Sequence, residues 1–288
     1  MVNFLKYRWL YFLFSVVIIF SGLFSIIKWG YQFSIEFTGG TDLIYRLDKK
    51  VKSNEIEEIL QKEKIEKLQL RTEDKKIFIK TRPLEKNQEE KLKEILGEKL
   101  KTKITTEKLE TIGPILGKEM VKKTIIASFL AILGILIYIS FAFRGFKYAL
   151  SAILAMIHDF LVLMGIYSLL SHYFKAEFDT MFVTAVLTTM SFSVHDTIVI
   201  FDKIREYFQK EGEKDLEYFA NKALTETMVR SINNSMTIVF MLLSLSLLGG
   251  ATIRFFVIAL LIGTVIGTYS SPFIATPVLV WLYKIRKK

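Results

Sequence analysis

Cysteine is missing from all 288 residues. Disulfides, thiolate metal sites and cysteine-based redox chemistry are therefore excluded, and the chain carries no mark of its redox compartment. Histidine is scarce, with three in total. None of the three stands in an HExxH pattern, so the zinc-protease motif is absent. Charge is missing from a few long stretches, and this third absence is the most informative one. A run of about 20 residues without charge is long enough to cross a hydrocarbon core of about 30 Å.

Six predominantly apolar runs of about that length can be read, at approximately 9–27, 124–143, 148–170, 178–201, 231–248 and 255–283. The bulk composition agrees, with 51% hydrophobic residues, 14% aromatic residues and a mean hydropathy of +0.36. The first run is too long for the core of a cleavable signal and lacks an A-x-A-like site, so it is expected to remain as an anchor. A net charge of +10 could suggest nucleic acid. However, the basic residues of the membrane part sit beside the apolar runs, where Lys and Arg set orientation and meet anionic lipid headgroups. Membrane lipid is thus the expected partner of that charge, and nucleic acid is not.

Six spans put both termini on one side. Lys6, Arg8, Arg144, Lys147, the basic residues of 203–230 and the 284–288 tail all fall there, against little more than Lys175 and Arg254 opposite. The positive-inside rule makes that side cytoplasmic. Segment 28–123 then lies outside. There Leu43, Tyr45 and Leu47 alternate, Ser53 is expected to cap a helix with a stripe of Ile56, Ile59 and Leu60, and 67–71 and 76–80 read as strands about a Glu73-Asp74 turn. A second helix over 86–100 and a strand over 104–112 follow. This order is that of an α+β ferredoxin-like domain. The expected architecture is a polytopic α-helical membrane protein: a first transmembrane helix (1–27), an extracytoplasmic ferredoxin-like domain (28–123) and a five-helix transmembrane domain (124–288).

Polar residues inside the spans are the candidate site. Asp196 lies seven residues before Lys203, roughly 10 Å along a helix and beyond the reach of an aspartate to the interface. A carboxylate at that depth is a functional hypothesis by default, here for a proton or ion. Thr189, Ser193, Asp196 and Thr197 share a helical stripe, and Arg230, Asn233, Asn234 and Thr237 form another on the next span. His158 and Asp159 stand near the middle of the third span, and Gly263, Gly267 and Ser270 give the sixth a small-residue face. Each has a plainer reading. Arg230 also fits an interface anchor, Asp159 a structural hydrogen-bond acceptor, and His158 and His195 ordinary packing.

FSIEFTGGTDL after the first span, IGPILGKEM before the second, HDFLVLMGIYSLL in the third, SVHDTIVIFDKIRE in the fourth, RSINNS opening the fifth and GTYSSPFIATPVLVW in the sixth resemble, in order and spacing, the SecF family. These proteins are the smaller membrane subunits of SecD-SecF complexes, themselves similar to resistance-nodulation-division transporters. The resemblance implies a complex with SecD that uses the proton gradient, with no other cofactor, to help exported unfolded polypeptides leave the SecYEG translocon of the cell inner membrane. It also implies that Asp196 and Arg230 take part in proton movement; Asp159 is a further relay candidate from its own place near the middle of the third span. Glu36, Phe37, Thr38, Gly39 and Gly40 match the family's DFTGG signature, with Glu36 in place of its Asp. His195 stands where the family usually has Asn, which places a titratable neighbour beside Asp196.

Rival readings remain. An intramembrane aspartyl protease would need a GxGD-type context that neither Asp159 nor Asp196 has, so no enzyme and no catalytic or metal residue is expected. A small-molecule exporter of the related class usually carries two six-span halves in one chain, whereas this chain carries one. A scaffold for SecD that transports nothing is the third possibility.

Overall fold

The computed structural model describes residues 2–63, 65–142, 145–211, 215–250 and 252–285. Arg144 and the tail residues 286–288, both used above to orient the chain, lie outside the described residues. Two compact units are present, one over Phe33–Ile125 and the other made of Met1–Gln32 with Ile126–Lys288.

The first unit holds a four-stranded sheet. Its strands are β1 (Gly40–Leu47), β2 (Lys67–Glu73), β3 (Lys76–Thr81) and β4 (Ile104–Ile112), laid in the order β2-β3-β1-β4 with every neighbouring pair antiparallel. Two helices, Ser53–Lys62 (α2) and Lys86–Leu100 (α3), connect them. Alternation sends Leu43, Tyr45 and Leu47 to one face beside Ile77 and Ile79, and Ile56, Leu60, Leu92 and Leu96 of the helices close over them. The hairpin between β2 and β3 turns on Asp74, whose φ of 51° supplies the left-handed geometry a two-residue loop needs. Ser53, expected to cap α2, is instead its first residue; its hydroxyl is 2.8 Å from that of Thr72 on β2. Within this core the Tyr45 hydroxyl donates to Glu89 Oε1 at 2.9 Å, and burial followed by that carboxylate raises the phenol above its ordinary pKa.

The signature residues also belong to this unit. Glu36, Phe37 and Thr38 lie in a single helical turn, Ile35–Thr38. Gly39 (φ 72°) and Gly40 (φ 136°) then swing the chain into β1. A Cβ on Gly40 would stand 2.7 Å from the Thr81 carbonyl oxygen, and one on Gly117 would stand 2.9 Å from the Gly39 nitrogen. Glycine is therefore required for the close approach as well as for the dihedral.

Among the described residues, six helices are long and apolar enough to span a membrane. They are α1 (Arg8–Trp29, extended at its start by a 3-10 turn over Phe4–Tyr7), α4 (Pro114–Ala142), α5 (Phe146–Phe174), α6 (Thr180–Glu211), α7 (Leu216–Leu248) and a sixth made of α8 (Arg254–Ser270), a π turn (Ser271–Ala275) and α9 (Thr276–Ile285). The π turn begins around Pro272, which has no N–H for the helical ladder. Nearby hydroxyls bond the local carbonyls, with Ser271 donating to Gly267 O at 3.2 Å and Thr276 to Ser271 O at 3.0 Å. That satisfies backbone groups no lipid could serve. α5, α6 and the sixth span form the buried centre of the second unit, whereas only 6% of the most apolar window of α4 is buried.

Helix pairs meet through small residues. A Cβ on Gly22 of α1 would lie 2.7 Å from the Cα of Gly165 on α5, and one turn on Ser25 and Ser168 share a hydrogen bond of 2.9 Å. Such contacts let helix backbones approach closely where no hydrophobic force distinguishes protein from lipid.

Candidate functional site

The polar residues of α6 divide between two neighbours. Thr189, Ser193 and Thr197, spaced by four, are buried against α8. The pairing runs in register along both helices: Thr189 meets Gly263, Ser193 meets Gly267, and the Thr197 hydroxyl lies 2.9 Å from that of Ser271. Asp196 leaves this row. Helical geometry turns it about 100° from Thr197, toward α7, where Ser231 Oγ donates to its Oδ2 at 2.8 Å. The single stripe expected from the sequence thus serves two seams, and Asp196 is half-buried in the second.

On α7 the inward residues are Thr227, Ser231 and Ser235, again spaced by four, and Thr268 Oγ1 donates to Ser235 Oγ at 2.7 Å. Arg230, Asn233, Asn234 and Thr237 share one face as their spacing implies, but that face points outward from this chain. Among the described residues Arg230 has no ion-pair partner, and Asp196 is bonded by the serine one position later. The small serines let α7 approach α6 closely, which the longer side chains would prevent. His195 is exposed on α6.

Asp159 is more enclosed than Asp196. It is 6% exposed, and its Oδ2 accepts from Ser270 Oγ at 2.7 Å and from Ser193 Oγ. Its Oδ1 lies 2.8 Å from Nδ1 of His158. Three helices, α5, α6 and α8, therefore converge on this carboxylate. Every buried polar group must find partners in such an interior, and this one has three. Adjacent residues on a helix point in different directions, and nothing in their spacing announces the contact between His158 and Asp159. Among the described residues no group of three or more His, Asp and Glu side chains gathers as for a metal ion.

Comparison with known proteins places these helices in context. The family described as "Protein export membrane protein SecD/SecF, C-terminal" matches residues 91–285. A protein translocase subunit SecF from Thermobaculum terrenum is 39% identical over 298 residues, covering 97% of this chain and 93% of the relative. The one from Anaerolinea thermophila is 36% identical over 288 residues, covering 97% and 94%. Among solved structures, the crystal structure of SecDF, a translocon-associated membrane protein from Thermus thermophilus, superposes with a TM-score of 0.87 at 27% identity, over 99% of this chain. A structure of SecDF in a super-membrane-facing form gives 0.68 at 27% identity over the same share. In both cases this chain spans 39% of the length of the matched SecDF chain.

Proposed function

Because the chain belongs to the SecD/SecF family of protein-export membrane proteins, we propose that it is an accessory subunit of the Sec translocation machinery. In this reading it works with SecD to draw on the proton gradient and promote export of unfolded preproteins through SecYEG. The observation that carries the proton part is Asp196: a carboxylate on a spanning helix, bonded across a seam by Ser231 of the next helix. A change in its charge acts on the contact between two helices, which is what a gradient-driven switch requires. Moving one charge through the potential is worth about 2.3 kcal/mol per 100 mV, enough to shift a two-state equilibrium roughly fiftyfold.

The outward face of Arg230, Asn233 and Asn234 supports SecD as the partner that completes the site. Amide and guanidinium groups at membrane depth are costly against lipid and are satisfied by facing another protein. In this assembly Arg230 and Asp196 bear on the same proton path, with Asp159 as a further relay, Ser193, Thr197, Asn233, Asn234 and His195 as supporting polar groups, and lipid around the remaining faces. The flanking basic residues orient the chain with both termini in the cytoplasm of a cell inner membrane. The β-α-β-β-α-β order and the strand order β2-β3-β1-β4 support a ferredoxin-like domain over 28–123 on the outer side.

The test is proton uptake and preprotein export in vesicles that contain this chain, SecD and SecYEG. Asp196→Asn keeps the shape and removes the titration, so it abolishes the gradient-dependent part of export while the complex with SecD still purifies intact. Normal gradient stimulation in that variant would leave the scaffold reading in its place.

A further inference from the structure

We infer that residues 2–8 form a strap docked on the start of α7, with Glu217, Asn221 and Thr225 as its receptor, and that this strap holds α7 where Ser231 meets Asp196. The second half rests on the proton-driven reading above, and the first does not.

The receptor is one face of one helix. Glu217, Asn221 and Thr225 are spaced by four on α7. Each takes a residue of the N-terminal segment, and those residues are spaced by three. Thr225 Oγ1 accepts from the Val2 N–H at 3.1 Å, Asn221 Oδ1 accepts from the Leu5 N–H at 3.1 Å, and the Arg8 guanidinium lies 3.6 Å from Glu217 Oε2. The two segments therefore run in opposite directions. Phe4–Tyr7 is a 3-10 turn rather than a first turn of α-helix, and these contacts account for it. Three residues at about 2.0 Å advance as far as four at about 1.5 Å, so the repeat of the strap keeps step with the repeat of α7.

The acceptors are held in position from within α7. Asn221 Nδ2 donates to Glu217 O at 3.0 Å, and Thr225 Oγ1 donates to Asn221 O at 2.7 Å. Those bonds orient both side chains and leave Oδ1 and Oγ1 as acceptors for the strap. Asn221 is 4% exposed and Leu5 1%. The Leu5 N–H is thus shielded from water, and without Asn221 it has no replacement acceptor from solvent. A third N–H, that of Lys6, is served inside the segment by Asn3 Oδ1 at 3.1 Å, so Val2 and Leu5 carry the bonds that leave it. Glu217 also binds Lys284 of α9, which brings the ends of α1, α7 and the sixth span to one carboxylate.

Asn221 stands ten residues before Ser231 on the same unbroken helix, a distance of about 15 Å. It touches neither Asp196 nor Ser231. Asn221 is a positioning residue, acting through the helix that carries the serine.

Hydrogen exchange of residues 2–8, read by mass spectrometry on the purified complex of the full chain with SecD, tests the strap without any gradient. Asn221→Leu has a similar size and no acceptor, and it speeds exchange of the Leu5 amide about three- to tenfold, the worth of one hydrogen bond. Trypsin then cuts after Lys6 and Arg8 sooner than in the wild type. Thr225→Ser keeps the hydroxyl and behaves as wild type, whereas Thr225→Val keeps the shape, loses the hydroxyl and is cut sooner. In vesicles with SecYEG, Asn221→Leu and Thr225→Val lower gradient-stimulated export and Thr225→Ser does not, while gradient-independent export is the same in all of them. Equal Leu5 exchange in wild type and Asn221→Leu, or equal cutting of Thr225→Val and Thr225→Ser, overturns the strap. A released strap with unchanged gradient stimulation overturns its role at the Asp196 seam. Failure of the proton reading itself shows in Asp196→Asn and leaves the exchange result standing.

Discussion

Ser231 donates to Asp196 across the α6–α7 seam at 2.8 Å, while Arg230, the residue before it, faces out of the chain. Ser231 therefore holds the carboxylate within the chain, whereas Arg230 makes no contact with it among the described residues. Ser231→Ala is expected to weaken gradient-driven export several-fold without abolishing it, since one hydrogen bond is worth about 0.5–1.5 kcal/mol. Export assayed with and without an uncoupler checks this; a loss as complete as that of Asp196→Asn would make Ser231 more than a positioning group.

Arg230→Lys keeps a positive charge but loses the planar fork, whereas Arg230→Met removes both. The lysine variant should retain part of the gradient-stimulated export and the methionine variant none of it. Equal residual export in the two would mean that the charge of Arg230 plays no part.

Gly263 and Gly134 offer a controlled pair. A Cβ on Gly263 would stand 2.5 Å from the Thr189 Cβ, whereas one on Gly134 has nothing within 4 Å. Gly263→Ala is expected to cost about 1–3 kcal/mol through overpacking, and Gly134→Ala nothing measurable. Thermal melts of the detergent-purified protein compare them directly.

The absence of cysteine permits labelling without any background substitution. Lys49→Cys in the sheet unit should react with an impermeant thiol reagent in intact cells, and Lys210→Cys at the end of α6 only after permeabilisation. The reverse pattern would invert the orientation.

Tyr45 and Glu89 make the sheet unit sensitive to alkali. Burial and then the Glu89 carboxylate raise the Tyr45 phenol. The unfolded chain therefore ionises its tyrosine first, near pH 10. That stability is present in full below about pH 10 and falls as pH climbs toward the folded value. Tyr45→Phe should cost about 1–3 kcal/mol at neutral pH, by leaving Glu89 buried with a poorer partner in Thr106 at 3.5 Å. It should also flatten the alkaline decline, as measured by circular dichroism of the 32–120 fragment, which is expected to fold alone.

Much of this was legible because the physics acts locally. Leu43, Tyr45 and Leu47 announce a strand because side chains alternate, and the spans announce themselves because hydrocarbon demands some 20 apolar residues in a row. The inner face of α7 was not legible. Lipid-facing and protein-facing surfaces are both apolar, so Arg230, Asn233, Asn234 and Thr237 read as an inward stripe while the face that packs is that of Ser231 and Ser235. Asp196 was found by its depth, but its departure from the row of Thr189, Ser193 and Thr197 depends on where α7 and α8 lie, which no spacing within α6 encodes. The contact of His158 with Asp159 was hidden in the same way, since it depends on rotamers that only the surrounding helices select.

α4 runs unbroken from Pro114 to Ala142, and the division between the two units falls inside it, between Ile125 and Ile126. An unbroken helix offers a protease no loop to enter, so limited digestion of the folded protein should leave 114–142 in one piece, and cuts that separate the two units should fall on either side of it.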